Sequence, residues 1–336
     1  MQYKLFALSA LIVLSAALPD MSPAVAAQDT TLVIYSGRSE SLVGPIIQQF
    51  TIATGINVDV RYGDTAQLAA TLLEEGERSP ADLFYAQDPG GLGAVEGLLA
   101  PLPQTVLDQA PEPFRSPQGL WVGISARART LVYNTNVLSE AELPDDIYDL
   151  IDPKWKGRLG WAPTNASFQA MVTGMRALWG EEKTRAWLEG VLANGPTAYS
   201  GNAPQVEAVG KGEIDVGMVN HYYLFRFLST EGDRFPARNY HPRAGGPGAL
   251  VMVSGAGILK TAQHREAAER LIAFMLSQVA QQYFTSSTFE YPVVAGVQTN
   301  RLLVPLDQIN APDLALSDLA DLAGTQTLLQ EVGVLP

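Results

Sequence analysis

The chain has 336 residues, with 22 Lys or Arg against 35 Asp or Glu, so its formal net charge is -13. Hydrophobic residues make up 47% of it, which is typical of a globular protein with enough chain for about two domains. The acidic balance leaves no basic surface for a phosphate backbone, so we expect no nucleic acid partner. The absence of cysteine excludes disulfides, zinc–thiolate sites, iron–sulfur clusters and cysteine nucleophiles.

The N-terminus has the pattern of a secretory signal. Lys4 precedes an apolar run over residues 5–18 that is short for a membrane span, and the small residues AVAA follow. We expect a signal peptide over residues 1–27, cleaved near Ala26 or Ala27, and a periplasmic mature protein without a further membrane span. The alternative is a buried N-terminal helix.

Strands and helices are predicted to alternate in the first half of the mature chain. The segments TLVIY, INVDVRY and DLFYA read as strands, and ESLVGPIIQQFTIAT and DTAQLAATLLEEG as helices. Gly55 is expected to end the first helix, and Asp64 or Thr65 to cap the second. This alternation predicts an α/β fold with a mostly parallel sheet. Ligands would then bind at the carboxyl ends of the strands, at residues 35–39, 62–64 and 85–88.

A second α/β set follows a long predicted strand, GLWVGISARARTLVYNT. It comprises the helices NASFQAMVTGMRALWG and EEKTRAWLEGVLAN, the strand PTAYS, the helix APQVEAVGKG and the strand EIDVGMVN. The strand ALVMVSGAGIL, one amphipathic helix over REAAERLIAFMLSQVAQQYF and a helical tail complete the chain. Two lobes joined by long strands are the simplest architecture, and the cleft between them is the expected binding site.

The common enzyme signatures are absent. There is no G-x-S-x-G elbow, no H-E-x-x-H pair and no G-x-x-x-x-G-K-[ST] loop. The three histidines, His221, His241 and His264, do not suggest a multi-histidine metal site, and His264 is expected on the surface at a helix start. We therefore expect a protein that is not an enzyme. An exported hydrolase that uses distant Ser, His and Asp is the alternative from another class.

The sequence Asn220-His221-Tyr222-Tyr223 directly follows the strand IDVGMV. Neighbouring side chains on a strand point to opposite faces, so two tyrosines converge on one atom only where the strand turns into a loop or helix. The alternative places one ring in the core and the other on the surface.

Six segments in chain order carry a family resemblance. They are YSGRSE at 35–40, PADLFYAQ at 80–87, RARTLVYNT at 127–135, DPKWKGRLGWAPT at 152–164, VNHYYLFR at 219–226 and FEYPV at 289–293. Together they resemble the periplasmic ferric-iron-binding proteins of bacterial ABC importers, over essentially the whole mature chain. The resemblance implies a two-lobed periplasmic-binding-protein type II fold with a hinge and an interlobe cleft. The N-lobe would comprise residues 28–130 and a return segment at about 255–303; the C-lobe, residues 131–254 and a tail at about 304–336.

The resemblance also implies the cargo and its ligands. A monomer would bind ferric iron and deliver it to an inner-membrane ABC permease, with Tyr222 and Tyr223 as phenolate ligands. Tyr133 is implied as a third ligand, although it could be a core residue of the hinge strand, and Tyr62 could be a fourth or a packing residue. Phenolate suits a hard trivalent cation, and because the metal binds the deprotonated form, binding should weaken in acid.

Two first-lobe ligands of some family members are missing here. Ser39 stands where those members have a histidine, and Gln87 stands where they have a glutamate. A synergistic anion such as carbonate could substitute, held by Arg38 beside Ser39 at a helix N-terminus. Gln87 and Arg226 are expected next to the ligands without binding the metal, although Arg226 could instead simply face solvent. A second anion pocket, whose residues could equally be helix caps, is implied at Asn165, Ser167 and Asn202.

A different solute in the same fold is the nearest alternative. Polyamine, thiamine and phosphonate carriers share this architecture, and fold alone does not choose the ligand. A polyamine site would need several carboxylates, whereas the predicted cleft segments supply chiefly Tyr, Asn and Arg.

Overall fold

The computed structural model describes residues 31–336, so the predicted signal peptide lies outside the described part of the chain. Eleven strands form one connected sheet in the order β2-β1-β3-β10-β5-β8-β6-β7, with β4 beside β10 and with β9 and β11 beside β5. The strands are β1 (Thr31–Ser36), β2 (Asn57–Tyr62), β3 (Leu83–Ala86), β4 (Leu99–Ala100), β5 (Val122–Asn134), β6 (Leu159–Trp161), β7 (Thr197–Ala198), β8 (Val216–Asn220), β9 (Ala237–Tyr240), β10 (Val251–Leu259) and β11 (Tyr291–Pro292).

Helices cover the sheet and follow most of the strands. They are α1 (Glu40–Thr54), α2 (Thr65–Glu75), α3 (Pro89–Ala94), α4 (Gln104–Leu107), α5 (Ala166–Trp179), α6 (Glu181–Ala193), α7 (Asn202–Lys211), α8 (Tyr223–Glu231), α9 (Arg265–Met275), α10 (Gln278–Ser287) and α11 (Leu322–Glu331). None of these helices is long and apolar enough to cross a membrane.

The segment from β1 to β3 is built as the sequence predicts, but the predicted mostly parallel sheet is wrong for the sheet as a whole, since β10 pairs antiparallel with β3 and β5. Strand β1 pairs in parallel with β2 and β3, so the loops that follow β1 and β3 lie at the same edge of the sheet. Helix α1 ends at Gly55, which has φ 73° and donates its N–H to Thr51. The Asp64 carboxylate caps α2 by accepting from the N–H of Ala66 at 2.9 Å. Both predicted helix boundaries are therefore confirmed.

Strand β5 belongs to both lobes. Up to Ala128 it pairs with β10, and Ala128 lies opposite Val251. From Arg129 onward it pairs with β8 and β9, and Arg129 lies opposite Asn220. The change of partner between residues 128 and 129 marks the crossing point between the lobes. The lobe boundaries predicted at residues 130/131 and 254/255 stay predictions.

Each lobe has its own apolar core. The larger cluster surrounds β1, β3 and β10 and includes Phe50, Phe84 and Phe284. The second lobe buries Trp155 and Trp187 beside Leu328 of the C-terminal helix, so the tail completes this core. Burial on this scale is the main contribution to the stability of each lobe.

One predicted element divides into two. The amphipathic segment expected as a single helix forms α9 and α10, and Ser277 separates them. The Ser277 hydroxyl accepts from the N–H of Ala280 at 3.3 Å and so caps α10. A serine that hydrogen-bonds its own backbone region favours a new helix start over continuation of the old helix.

Candidate metal and anion site

Tyr222 and Tyr223 lie together where β8 ends and α8 begins. Tyr222 already has helical backbone angles, φ -72° and ψ -20°, so the two side chains are not on opposite faces. Their rings stack with centroids 4.3 Å apart and planes 29° from parallel. Both phenol oxygens are therefore available to one atom, which was the geometric condition for the expected metal site.

The environment of the pair opposes ionisation of Tyr223 in the absence of a metal. Burial, and after it the adjacent Tyr222, raise the pKa of Tyr223 well above its usual value, although Arg38 acts in the opposite direction. A cation at the phenol oxygens would reverse that preference, since it favours the phenolate. Metal binding at this pair would thus be accompanied by proton release.

Arg38 of the first lobe contacts Tyr222 of the second lobe. The Arg38 side chain follows β1 and donates from Nη1 to the Tyr222 hydroxyl at 3.0 Å. It also donates from Nη2 to the Glu290 carboxylate at 2.6 Å, and both side chains of that ion pair are completely buried. Thr288 donates to the other carboxylate oxygen of Glu290 at 3.0 Å. The two lobes are therefore in contact at the tyrosine pair.

Two arginines of β5 lie on either side of the crossing point. Arg127 and Arg129 are separated by one residue, so their side chains lie on the same face of the strand. Both are buried, and Nε, Nη1 and Nη2 of Arg127 have no hydrogen-bond partner within the described residues. Burial lowers the pKa of Arg127, and it lowers the pKa of Arg129 to about 9. Burial of an unpaired guanidinium costs folding free energy, and an anion bound beside it would offset that cost.

Arg129 is held by a cluster of amides. Its Nη1 donates to the side-chain oxygen of Asn220 at 3.0 Å and to that of Asn202 at 3.3 Å. Asn202 in turn donates to Asn165 at 3.2 Å, and its own oxygen accepts the backbone N–H of Asn220 at 2.8 Å. The structure thus brings Asn202 and Asn165 together with Arg129, and Ser167 joins them through a hydrogen bond to Asn165.

The amide residues also mark two helix N-termini. Asn165 caps α5 by accepting the N–H of Ser167 at 3.2 Å, which confirms the predicted capping role of Asn165. Asn202 is the first residue of α7. Both helices present their N-terminal N–H groups to the neighbourhood of Arg129, and this arrangement favours an anion.

Three further residues at the end of β3 face the same region. Tyr85 is buried near Arg38, and burial raises its pKa to about 12. Asp88 lies near Arg127, and burial raises the Asp88 pKa while Arg127 lowers it. Gln87 is 8% exposed, and its Nε2 has no hydrogen-bond partner. The position of Gln87 at this edge agrees with the expectation that it lies near the ligands.

The structure does not bring Tyr133 or Tyr62 to the tyrosine pair. Tyr133 lies four residues beyond Arg129 on β5, about 13 Å along the strand. There it packs in the second-lobe core, with Glu140 and Arg238 as its charged neighbours. Tyr62 ends the edge strand β2 and lies against α1, where Glu40 is its charged neighbour. Both tyrosines therefore occupy the packing role that was the alternative for each.

Three other predicted positions also differ from expectation. Ser39 is exposed, and its hydroxyl pairs with that of Ser41 at 3.2 Å. Arg226 is exposed on α8 and does not contact the tyrosine pair by any hydrogen bond among the described residues. Arg38 is already paired to Glu290 and Tyr222, whereas all three guanidinium nitrogens of Arg127, together with Nε and Nη2 of Arg129, have no partner among the described residues and are available to an anion. Paired arginines at alternate positions of the buried strand were the sequence signal that could have identified Arg127.

His221, the residue before the tyrosine pair, is fixed by two hydrogen bonds to other segments of the chain. Its Nδ1 accepts from the N–H of Ala128 at 3.2 Å, and its Nε2–H lies 2.8 Å from the carbonyl of Phe289. Burial lowers the pKa of His221 to about 3, so the ring is neutral and both nitrogens are used in hydrogen bonds. It is therefore a positioning residue rather than a metal ligand in this arrangement.

The chain matches a family of transport-related binding proteins. The model of the family described as bacterial extracellular solute-binding protein matches residues 78–313. The "Fe(3+)-binding periplasmic protein" of Serratia marcescens is 36% identical over 314 residues, covering 92% of each chain. The "Major ferric iron-binding protein" of Neisseria meningitidis serogroup B is 33% identical, covering 96% of this chain and 97% of the relative.

A solved structure gives the same result for the fold. Iron-bound HitA from Pseudomonas aeruginosa superposes with a TM-score of 0.87 at 36% identity, covering 90% of this chain and 99% of that one. The expected two-lobed α/β fold is confirmed by this likeness. The family and these relatives are binding proteins rather than enzymes, as the sequence predicted. The chain is therefore a member of the bacterial extracellular solute-binding protein family, similar along most of its length to ferric-iron-binding members.

Proposed function

We propose that this protein binds ferric iron between its lobes through the phenolate oxygens of Tyr222 and Tyr223. The observation that carries the proposal is the stacking of the two rings where β8 turns into α8, at the place where Arg38 of the first lobe contacts Tyr222. Phenolate is the hardest anionic oxygen donor among the side chains and matches a trivalent cation. The names of the relatives, which bind ferric iron, support this choice of cargo.

A charge count supports a second, anionic ligand. Arg38, Arg127 and Arg129 against Glu290 and Asp88 leave the empty site with one net positive charge. Two phenolates and one ferric ion would raise this to two positive charges, which a dianion such as carbonate cancels. The unpartnered nitrogens of Arg127 and the amide cluster around Arg129 are the donors that would hold it. We therefore propose a synergistic anion bound by Arg127 rather than by Arg38.

The family membership supports a proposal for the cellular role. We propose that the protein closes over its solute and presents it to an inner-membrane ABC permease. The relatives named as periplasmic support the same compartment for this chain, and the sequence of residues 1–27 supports export. We propose that the mature protein acts there as a monomer and hands its iron to such a permease.

Absorption spectroscopy tests the metal proposal directly. Purified protein loaded with ferric iron in bicarbonate buffer should show a visible phenolate-to-iron charge-transfer band. Tyr222→Phe and Tyr223→Phe should each weaken the band and lower iron affinity, and the double variant should abolish the band. Tyr133→Phe is the matched control and should leave the band unchanged. A band that survives in the double variant would refute ligation by this pair.

The same positive cluster favours one second candidate, an oxyanion solute without iron. Arg127 and the amide cluster could bind a phosphate or phosphonate group by themselves. Calorimetry with inorganic phosphate and with a phosphonate, in iron-free buffer, separates the two functions. Micromolar binding of either solute together with no iron band would favour this candidate. A polyamine is disfavoured, because the buried arginines would repel it.

A further inference from the structure

The contact between Arg38 and Tyr222 joins the lobes without a metal. Arg38 belongs to the first lobe and Tyr222 to the second, and both are buried. The guanidinium also lies 5.5 Å from the centroid of the Tyr222 ring. A positive charge thus lies against the phenol oxygen that the proposed function assigns to iron.

Glu290 fixes this charge in place. Its carboxylate binds Arg38 at 2.6 Å, and its other oxygen accepts from Thr288. The cost of burying Arg38 is offset by Glu290 and the nearby tyrosines, which together raise the pKa of Arg38 well above its usual value. Arg127 has no such counterion. Arg38 is therefore built into the first lobe as a permanent, compensated cation.

We propose that Arg38, held by Glu290, is a stand-in cation that latches the two lobes together on Tyr222 when the iron site is empty. In the loaded protein the metal links the lobes, and the latch is no longer needed for closure. This inference rests on the proposed function only in assigning Tyr222 to iron. It predicts that the iron-free protein populates a closed form, and that Arg38 sets how much of it is closed.

The absence of cysteine allows a direct measurement of closure. Spin labels on Ala53→Cys in α1 and Ala186→Cys in α6 place one probe on an exposed helix position of each lobe. Pulsed dipolar spectroscopy then gives the distance distribution between the lobes. In iron-free protein with Arg38 intact we expect a major population at the distance seen after iron loading.

Removal of the latch should open the empty protein. Arg38→Gln loses the charge-assisted hydrogen bond to Tyr222, so the closed-to-open ratio should fall about tenfold. The double variant Arg38→Gln with Glu290→Gln avoids an uncompensated buried carboxylate and should open to the same extent. Iron loading should return both variants to the short distance. Arg226→Gln, at an exposed position, is the matched control and should leave the distribution unchanged.

Two results would overturn the latch. One is an iron-free distribution that is the same in the double variant as in the parent, which would mean that other contacts, such as His221 with Phe289, close the lobes. The other is a parent protein already as open as the variants. Neither result bears on the iron band, which is measured separately. Loss of the iron band with a normal latch response would refute the proposed function alone.

Discussion

Replacement of Arg127 by methionine should stabilise the empty protein while removing its anion site. Arg127 is fully buried, none of its three guanidinium nitrogens has a partner, and burial lowers its pKa. Methionine fills a similar volume without the charge. Replacement of buried charged groups by apolar side chains of similar volume is neutral or stabilising by up to about 4 kcal/mol, and because the Arg127 guanidinium lacks any hydrogen-bond partner in the described part of the chain, we expect a gain of about 2 kcal/mol here. With an unfolding entropy of roughly 2.1 cal/mol/K per residue, this is about 3 °C in Tm.

Differential scanning calorimetry in iron-free, bicarbonate-free and phosphate-free buffer measures the gain. Arg226→Met, at an exposed position, is the control and should leave Tm unchanged. Added bicarbonate should then stabilise the parent, by about 2.7 kcal/mol at a hundred times its dissociation constant, and should have no effect on Arg127→Met. A variant that is less stable than the parent in anion-free buffer would refute the reasoning, since Arg127 would then be satisfied within the empty protein.

Three further outcomes are expected. Tyr62→Phe, like Tyr133→Phe, should leave iron affinity within twofold, measured by competition with citrate, and a tenfold loss would contradict the placement of these rings. The pKa of His221 is about 3 in the folded protein and 6.5 in the unfolded chain, so between these pH values the unfolded state binds more protons. The free energy of unfolding should therefore fall as the pH falls from 6.5 to 3, by up to about 5 kcal/mol. His221→Gln should be less stable at pH 7 but lose this part of the pH dependence in urea titrations; an unchanged slope would refute the assignment. Asn202→Ala should cost about 2 kcal/mol of stability in urea, because it removes one of the two acceptors of Arg129 and leaves the buried N–H of Asn220 without its acceptor. A neutral effect would show that the amide cluster is not needed to hold Arg129.

Elements with strong local signals could be predicted from the sequence. The N-cap at Asp64 and the C-terminal Gly55 have side-chain or backbone requirements that few other residues meet. The convergence of Tyr222 and Tyr223 was also predictable as a possibility, because a turn must follow β8. The two rings come together because Tyr222 has helical backbone angles directly after β8 ends, and no local sequence pattern predicts that conformation.

The placements that the sequence did not predict depend on distances between segments. Tyr133 shares a face of β5 with Arg129. The alternation of side chains between the two faces of a strand, however, does not tell how far along the strand the cleft extends. Arg38 was correctly placed at the edge of the sheet, yet its partner Glu290 comes from a segment about 250 residues away in sequence. Local patterns do not predict such pairing. The unpaired state of Arg127 likewise depends on which carboxylates reach it.

The shared strand β5 has a consequence for unloading. If the lobes open about β5, Arg127 and Arg129 will move less than residues at the outer edges of the cleft, because both lie next to the point where the strand passes from one lobe to the other. Release of the iron would break its bonds to the second-lobe phenolates, while the proposed anion would stay bound to Arg127 and Arg129. Iron release would then precede loss of the anion, and the iron-free protein would keep its positively charged anion site for the next iron ion.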